Sequence, residues 1–145
     1  MCISGVITAL ATLFTAGFSI FQYREIKKKE KMADFKCEVI IPNIYKGYFS
    51  ALIHFKNVGK SDAKNVRIEM LPPENEIEKE KFLKLVDKCK LGSYKFYKLI
   101  NSDSEKVEEM NGLYISNVPK TLGFKITWDD DYDNNRSREF QEDLY

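Results

Sequence analysis

The stretch HFKNVGKSDAKNVRIEM, residues 54–70, admits two incompatible readings, and the choice between them decides the fold. Gly59-Lys60-Ser61 is the tail of a phosphate-binding loop, after which a helix should begin. Such a loop needs another glycine five positions earlier, because bare backbone must wrap the phosphate. That position holds His54. Downstream, Val66, Ile68 and Met70 alternate with Arg67 and Glu69, the period of a half-buried strand. The segment therefore reads as strand, turn, strand, and the case for a nucleotide enzyme goes with the phosphate loop.

The same alternation extends on both sides. Phe49, Ala51, Ile53 and Phe55 alternate with Ser50, Leu52, His54 and Lys56; Phe35, Cys37, Val39 and Ile41 do so with Lys36, Glu38 and Ile40. Turn chemistry separates them at residues 43–47 and 57–62. Further strands are predicted over Tyr94–Ile100, Leu113–Val118, Gly123–Trp128 and Ser137–Leu144. Between Pro73 and Tyr94, residues Glu74–Lys90 read as a helical or irregular crossover, with Ile77, Phe82, Leu85 (or Val86) and Cys89 on one face. About seven short strands with turns roughly every ten residues predict a mainly β fold, an antiparallel β-sandwich over residues 33–145.

The first thirty residues are of another kind. Ile3–Tyr23 contains no charged side chain, and its 21 residues at helical rise reach about 31 Å, the thickness of a bilayer's hydrocarbon core. Residues 1–23 are thus predicted as an uncleaved transmembrane helix, since a secretory signal would be shorter and carry Lys or Arg at its start. Arg24, Lys27, Lys28, Lys29 and Lys31 follow at once, in a basic juxtamembrane linker over residues 24–32. The positive-inside rule places that side in the cytoplasm, with a short N-terminus outside. The five cations suit anionic lipid headgroups. Ser4, Thr8, Ala11, Thr15 and Ser19 recur every three to four residues, a small-residue stripe that can pack a helix against a second copy.

Charge excludes one partner class. The basic run takes five of the 23 cationic side chains and two of the 22 acidic ones, which leaves 18 against 20 in the rest of the chain. A nucleic-acid partner is not expected of so balanced a domain. Cys2, Cys37 and Cys89 lack metal-ligand spacing and have only His54 to join them, so reduced cysteines are expected, without a zinc site. His54 reads as an exposed strand residue, with no nucleophile motif beside it. Asp129, Asp131 and Asp133 match the start of a calcium loop, but the glycine position holds Asn134 and the twelfth holds Phe140. A solvated hairpin turn is the expectation there. The aromatic residues Trp128, Tyr94, Tyr97, Tyr114 and Tyr132 read as core or rim.

Asn57, Gly59, Ala63 and Val66 match an N-x-G-x-x-x-A-x-x-V hairpin, and GFKITWDDD, residues 123–131, resembles a penultimate strand with its acidic turn. On these residues the chain resembles bacterial immunoglobulin-like domains of the CARDB type, across about half its length. The resemblance implies packing and no catalytic residues. No catalytic, cofactor-binding or metal-binding residue is predicted. The expectation is a single-pass membrane protein whose sandwich acts as a non-catalytic interaction domain for an unidentified protein partner. The alternative is a small membrane effector, of a stress or phage-defence type, that assembles through its helix.

Overall fold

The computed structural model describes residues 3–88 and 94–145; Cys2 and Cys89 lie outside that range, and the side chains of Ser4 and Lys88 are not described. Helix α1 (Ile3–Glu30) precedes eight strands: β1 (Phe35–Ile40), β2 (Ile44–Tyr45), β3 (Tyr48–Asn57), β4 (Ala63–Leu71), β5 (Tyr94–Ile100), β6 (Glu105–Tyr114), β7 (Thr121–Asp129) and β8 (Arg136–Asp143). Helix α2 (Glu76–Lys88) links β4 to β5. All pairings are antiparallel. In one sheet, β1 and β2 lie end to end along one side of β3, with β6 on the other; the second sheet runs β5-β4-β7-β8. The mainly β architecture expected from the alternation is therefore present.

The alternation of β3 is realised along its length. Phe49, Ala51, Ile53 and Phe55 are buried, while Ser50, Leu52, His54 and Lys56 are only half-buried on the outer face. They meet Val66, Ile68, Phe124, Ile126 and Trp128 from the other sheet in one continuous core. Two edge-to-face ring pairs stitch the layers, Phe55 with Phe124 at 5.5 Å and Phe35 with Trp128 at 5.0 Å between centroids. The β2–β3 hairpin turns through Lys46 and Gly47, both at positive φ (49° and 82°), as a two-residue hairpin of right-handed twist requires.

Ala63 and Val66 both face inward although they lie three positions apart, which strict alternation forbids. The extra residue is absorbed by an irregularity between Lys64 and Arg67, where Asn65 takes φ 51° and donates to the Asp129 carboxylate at 3.0 Å. An asparagine tolerates that left-handed conformation, which a β-branched residue resists.

Three expectations change. The strand predicted over Leu113–Val118 is instead the end of β6, which begins at Glu105, followed by a short 3-10 turn at Ile115–Asn117. The segment Glu105–Glu109 hides as a strand because its inward positions carry Lys106 and Glu108, which serve polar contacts at the sheet edge. Ile77 is exposed and not on the buried face of α2. Glu78, Phe82 and Leu85 form that face at helical spacing, with Glu78 accepting from the Lys120 backbone at 2.9 Å. Asn75 starts the helix by accepting from the backbone N–H of Ile77 (2.9 Å) and Glu78 (3.2 Å). Finally, α1 does not stop at Tyr23 but runs through the basic segment to Glu30.

The bulge supplies a test. Asn65→Gly is expected to leave stability within about 1 kcal/mol, whereas Asn65→Val costs roughly 1–2 kcal/mol. Urea unfolding of the full chain in detergent reads both; equal midpoints for the two variants would remove the left-handed constraint.

Candidate functional site

The strands place two ends on the sandwich. A helix-proximal pole gathers the start of β1, the β3–β4 turn, the β5–β6 turn and the β7–β8 turn; α2, the β2–β3 hairpin and the chain's last residues lie at the distal pole. The proximal pole receives α1, and its chemistry is concentrated on Met32, Ala33 and Asp34.

One side of the grip is the segment that imitates a phosphate loop. The backbone N–H groups of Lys60 and Ser61 donate to the Met32 carbonyl at 3.1 and 3.3 Å. Their acceptor is thus the chain's own backbone, two residues beyond α1. Gly59 is required by proximity: a Cβ there would stand 2.5 Å from the Met32 oxygen and 2.6 Å from the Ala33 carbonyl carbon. Asn57, fully buried, fixes the turn. Its Oδ1 accepts from Asp34 (3.3 Å) and Gly59 (3.1 Å), and its Nδ2 donates to the carbonyls of Ser61 (2.9 Å) and Ile100 (3.2 Å). The Asn57, Gly59, Ala63 and Val66 pattern therefore describes a folded hub.

The other side is the β7–β8 turn, whose centre is Asp130. Its Oδ2 accepts from the backbone of Ala33 (2.9 Å), the Trp128 indole (3.1 Å) and the Arg136 guanidinium (2.6 Å). Its Oδ1 accepts from the backbone of Tyr132 and Asp133, both at 3.0 Å. Burial by itself would raise the Asp130 carboxyl, but the donors at Asp133, Ala33, Arg136 and Trp128 outweigh it and hold the group below the usual carboxylate range. Arg136 also donates to the Ala33 carbonyl at 3.1 Å and lies over the rings of Trp128 and Tyr132. Arg138 adds an ion pair to Asp34 at 2.8 Å.

The calcium reading finds no support in this arrangement. Asp129 accepts from Asn135 and Asn65, Asp131 meets Ser61 and Lys64, and Asp133 accepts from Asn134. Among the described residues no group of three or more His, Cys, Asp or Glu converges to hold a metal. The residue that organises the turn is Asp130, which lies outside the D-x-D-x-D positions.

The basic residues are distributed unevenly. Arg24, Lys27, Lys28 and Lys31 share one helical face by spacing, and Lys29 lies away from them. Arg24, Lys27, Lys29 and Lys31 are exposed; Lys28 is half-buried, its ammonium 5.2 Å from the centre of the Tyr132 ring, and Lys27 pairs with Glu30. Lys28 thus contacts the sandwich as well as the helix surface. In the predicted small-residue stripe, the hydroxyls of Thr15 and Ser19 donate one turn back to the carbonyls of Ala11 and Thr15, each at 2.9 Å, and Thr12 does the same to Thr8. Thr8, Ala11, Thr15 and Ser19 are exposed.

Elsewhere, Cys37 is buried, and burial pushes its thiol up to about 12, so it is an inert core residue. His54 is half-buried, not exposed, with Nδ1 3.3 Å from the Glu105 carboxylate. Comparison with protein families, curated proteins and solved structures gives no match to this chain.

A depressed carboxyl stabilises the fold above its ordinary titration range, and that contribution is lost as pH falls through the folded-state value. Stability is therefore expected to fall on acidification below about pH 4. Asp130→Asn should cost roughly 3 kcal/mol at neutral pH by leaving the half-buried Arg136 without its partner, and should flatten the acid limb. Urea midpoints of both chains across pH 3–7 measure this, and parallel pH profiles would exclude Asp130 as the source.

Proposed function

We propose that the chain is a single-pass membrane protein that presents a non-catalytic, immunoglobulin-like interaction domain at the cytoplasmic face. The observation that carries this reading is the unbroken passage of α1 from an uncharged stretch, through the basic face, into a hydrogen-bonded junction with the sandwich. α1 is long and apolar enough to cross a membrane by length and composition, and none of its most apolar window is buried against the protein. About 31 Å of hydrocarbon would hold Ile3–Tyr23 and leave two helical turns, with Arg24, Lys27, Lys29 and Lys31, at headgroup level.

The immunoglobulin-like reading gains support from the strand order. With β2 set aside, the first, second and fifth strands (β1, β3, β6) face the third, sixth and seventh (β4, β7, β8), and β5 extends the second sheet. This is the arrangement of an immunoglobulin-type core. The non-catalytic reading rests on the use already made of the polar groups. Asp130, Asn57 and Arg136 are spent on the junction, and His54 is set against Glu105 on an outer face.

The surface farthest from the helix is the one to present to a protein partner. Tyr45 and Tyr48 are exposed there, the Tyr48 and Tyr114 rings pair at 4.8 Å, and a cleft of about 630 Å³ opens between Tyr48, Tyr114, Leu113 and the α2 residues Lys84 and Leu85. Rigid aromatic side chains beside a cleft are suited to protein recognition. Anchoring would act by raising the local concentration of this surface near a membrane-bound partner.

A C-terminal green fluorescent protein fusion is expected to fluoresce, and an alkaline phosphatase fusion to stay inactive, with the protein resisting alkaline carbonate extraction. Replacing Arg24, Lys27, Lys28, Lys29 and Lys31 with Gln should give mixed orientations. An active phosphatase fusion of the native chain would reverse the proposed orientation, and carbonate-soluble protein would remove the anchor.

A further inference from the structure

Among the described residues, two strand edges on the same side of the sandwich are open: β5 ends one sheet and β6 ends the other. They differ in charge. β5 carries Lys95 and Lys98 with no acidic residue, whereas β6 carries Glu105, Glu108 and Glu109 against Lys106. Both also expose apolar surface, with Phe96 at 48% and Val107 at 46% exposure, and an apolar edge strand is a template for pairing.

We infer that this side is a homodimer interface, in which the β5 edge of each copy pairs with the β6 edge of the other. The inference rests on the membrane-anchored reading above. Two copies anchored in one bilayer must point the same way, so their two-fold axis runs from pole to pole. Rotation about such an axis carries the β5 edge of one copy to the β6 edge of its partner. β6 runs from the proximal to the distal pole and β5 runs back, so the joined strands are antiparallel. Each sheet then continues into the opposite sheet of the second copy.

Register follows from heights within one chain. Ile100 and Glu105 flank the short β5–β6 turn, and Tyr97 donates to the Glu108 carboxylate, so those residues stand level. Copies at equal height place Lys98 opposite Val107 of the second copy, with Glu105 and Glu109 as its diagonal neighbours on the same face. Such neighbours lie about 7–8 Å apart, within reach of a lysine. The pleat agrees as well. Phe96 and Lys98 face outward on β5, Glu105, Val107 and Glu109 do so on β6, and the pairing sets outward against outward. Charge also selects against the other pairings, since β5 on β5 sets lysines together and β6 on β6 sets glutamates together.

The test uses the full chain in lipid nanodiscs, with native mass spectrometry reading multiples of 16.9 kDa. A dimer is expected. Because each copy carries the contact once, Lys98→Glu or Glu109→Lys alone should weaken dimerisation on the order of tenfold, and the double variant should recover to within about threefold. Phe96→Asp should weaken it without rescue. Circular dichroism checks that the variants fold, and carbonate extraction separately reports the anchor. A native monomer, or a dimer that survives both single charge reversals, would overturn the interface; a dimer abolished only by changes in α1 would assign assembly to the helix.

Discussion

A carboxylate buried inside a small sandwich must be met by donors or the fold fails, and Asp130 is met by five. Those donors come from three places: Ala33 in the segment that follows α1, the end of β7 and the β7–β8 turn with its return strand. Satisfying one side chain therefore fixes where the chain enters the sandwich, how the last hairpin turns and how Trp128 sits. Arg136 is the one charged donor among them, and its loss would leave the carboxylate without its counter-charge, at a cost of roughly 3 kcal/mol. Asn57 imposes a matching condition from the opposite side. Its amide can satisfy two acceptors and two donors only when the β3–β4 turn, the end of β5 and Asp34 are all in place.

Between them the two hubs grip three successive residues, Met32 and Asp34 from the β3–β4 side and Ala33 from the Asp130 side, and the consequences run back along the sequence. Residues 24–30 are free to remain helical because nothing there needs a turn, and the change of direction is made in the gripped segment. Gly59 then follows from geometry, since the Met32–Asp34 backbone passes where its side chain would be. What looked like a phosphate clamp uses its amides to hold a carbonyl beside a helix end. The chemistry is similar to that of a phosphate loop, with backbone N–H groups converging on an acceptor, but the acceptor is built in.

Period-two alternation made most of the sandwich legible. It located β1, β3, β4, β5, β7 and β8 to within a residue or two, because each has one apolar face. It failed at Glu105–Glu109, where an edge strand turns Lys106 and Glu108 inward to meet Tyr97 and Lys95. A strand whose inner face is polar has no alternation to read. Ile77 misled for a related reason: its hydrophobicity suggested the core, but helical spacing from Phe82 and Leu85 favours Glu78. The junction was only half visible. Asn57 and Gly59 stood out as a turn, and the lysines as a cluster, whereas Asp130 was one acidic residue among several. Its role depends on contacts 97 residues apart in sequence, which no local spacing encodes. Its tryptophan and arginine neighbours, a W-x-D pattern whose Asp stands six residues before an Arg, were the available signal.

A firm junction also changes what anchoring would mean. On a flexible linker, two domains in one bilayer would meet at varying heights and tilts, and edge strands could pair in several registers. Here the segment after α1 is fixed by backbone hydrogen bonds, and Lys28 adds a contact from the helix itself to Tyr132. Domains mounted in this way would stand at a common height, and a common height is the condition under which Lys98 lies between Glu105 and Glu109 of a second copy. A shift of one residue would turn the outward face of one strand against the inward face of the other. The buried carboxylate at the proximal pole therefore bears on register at the open edges: loosening Asp130 would blur the pairing of strands it never touches.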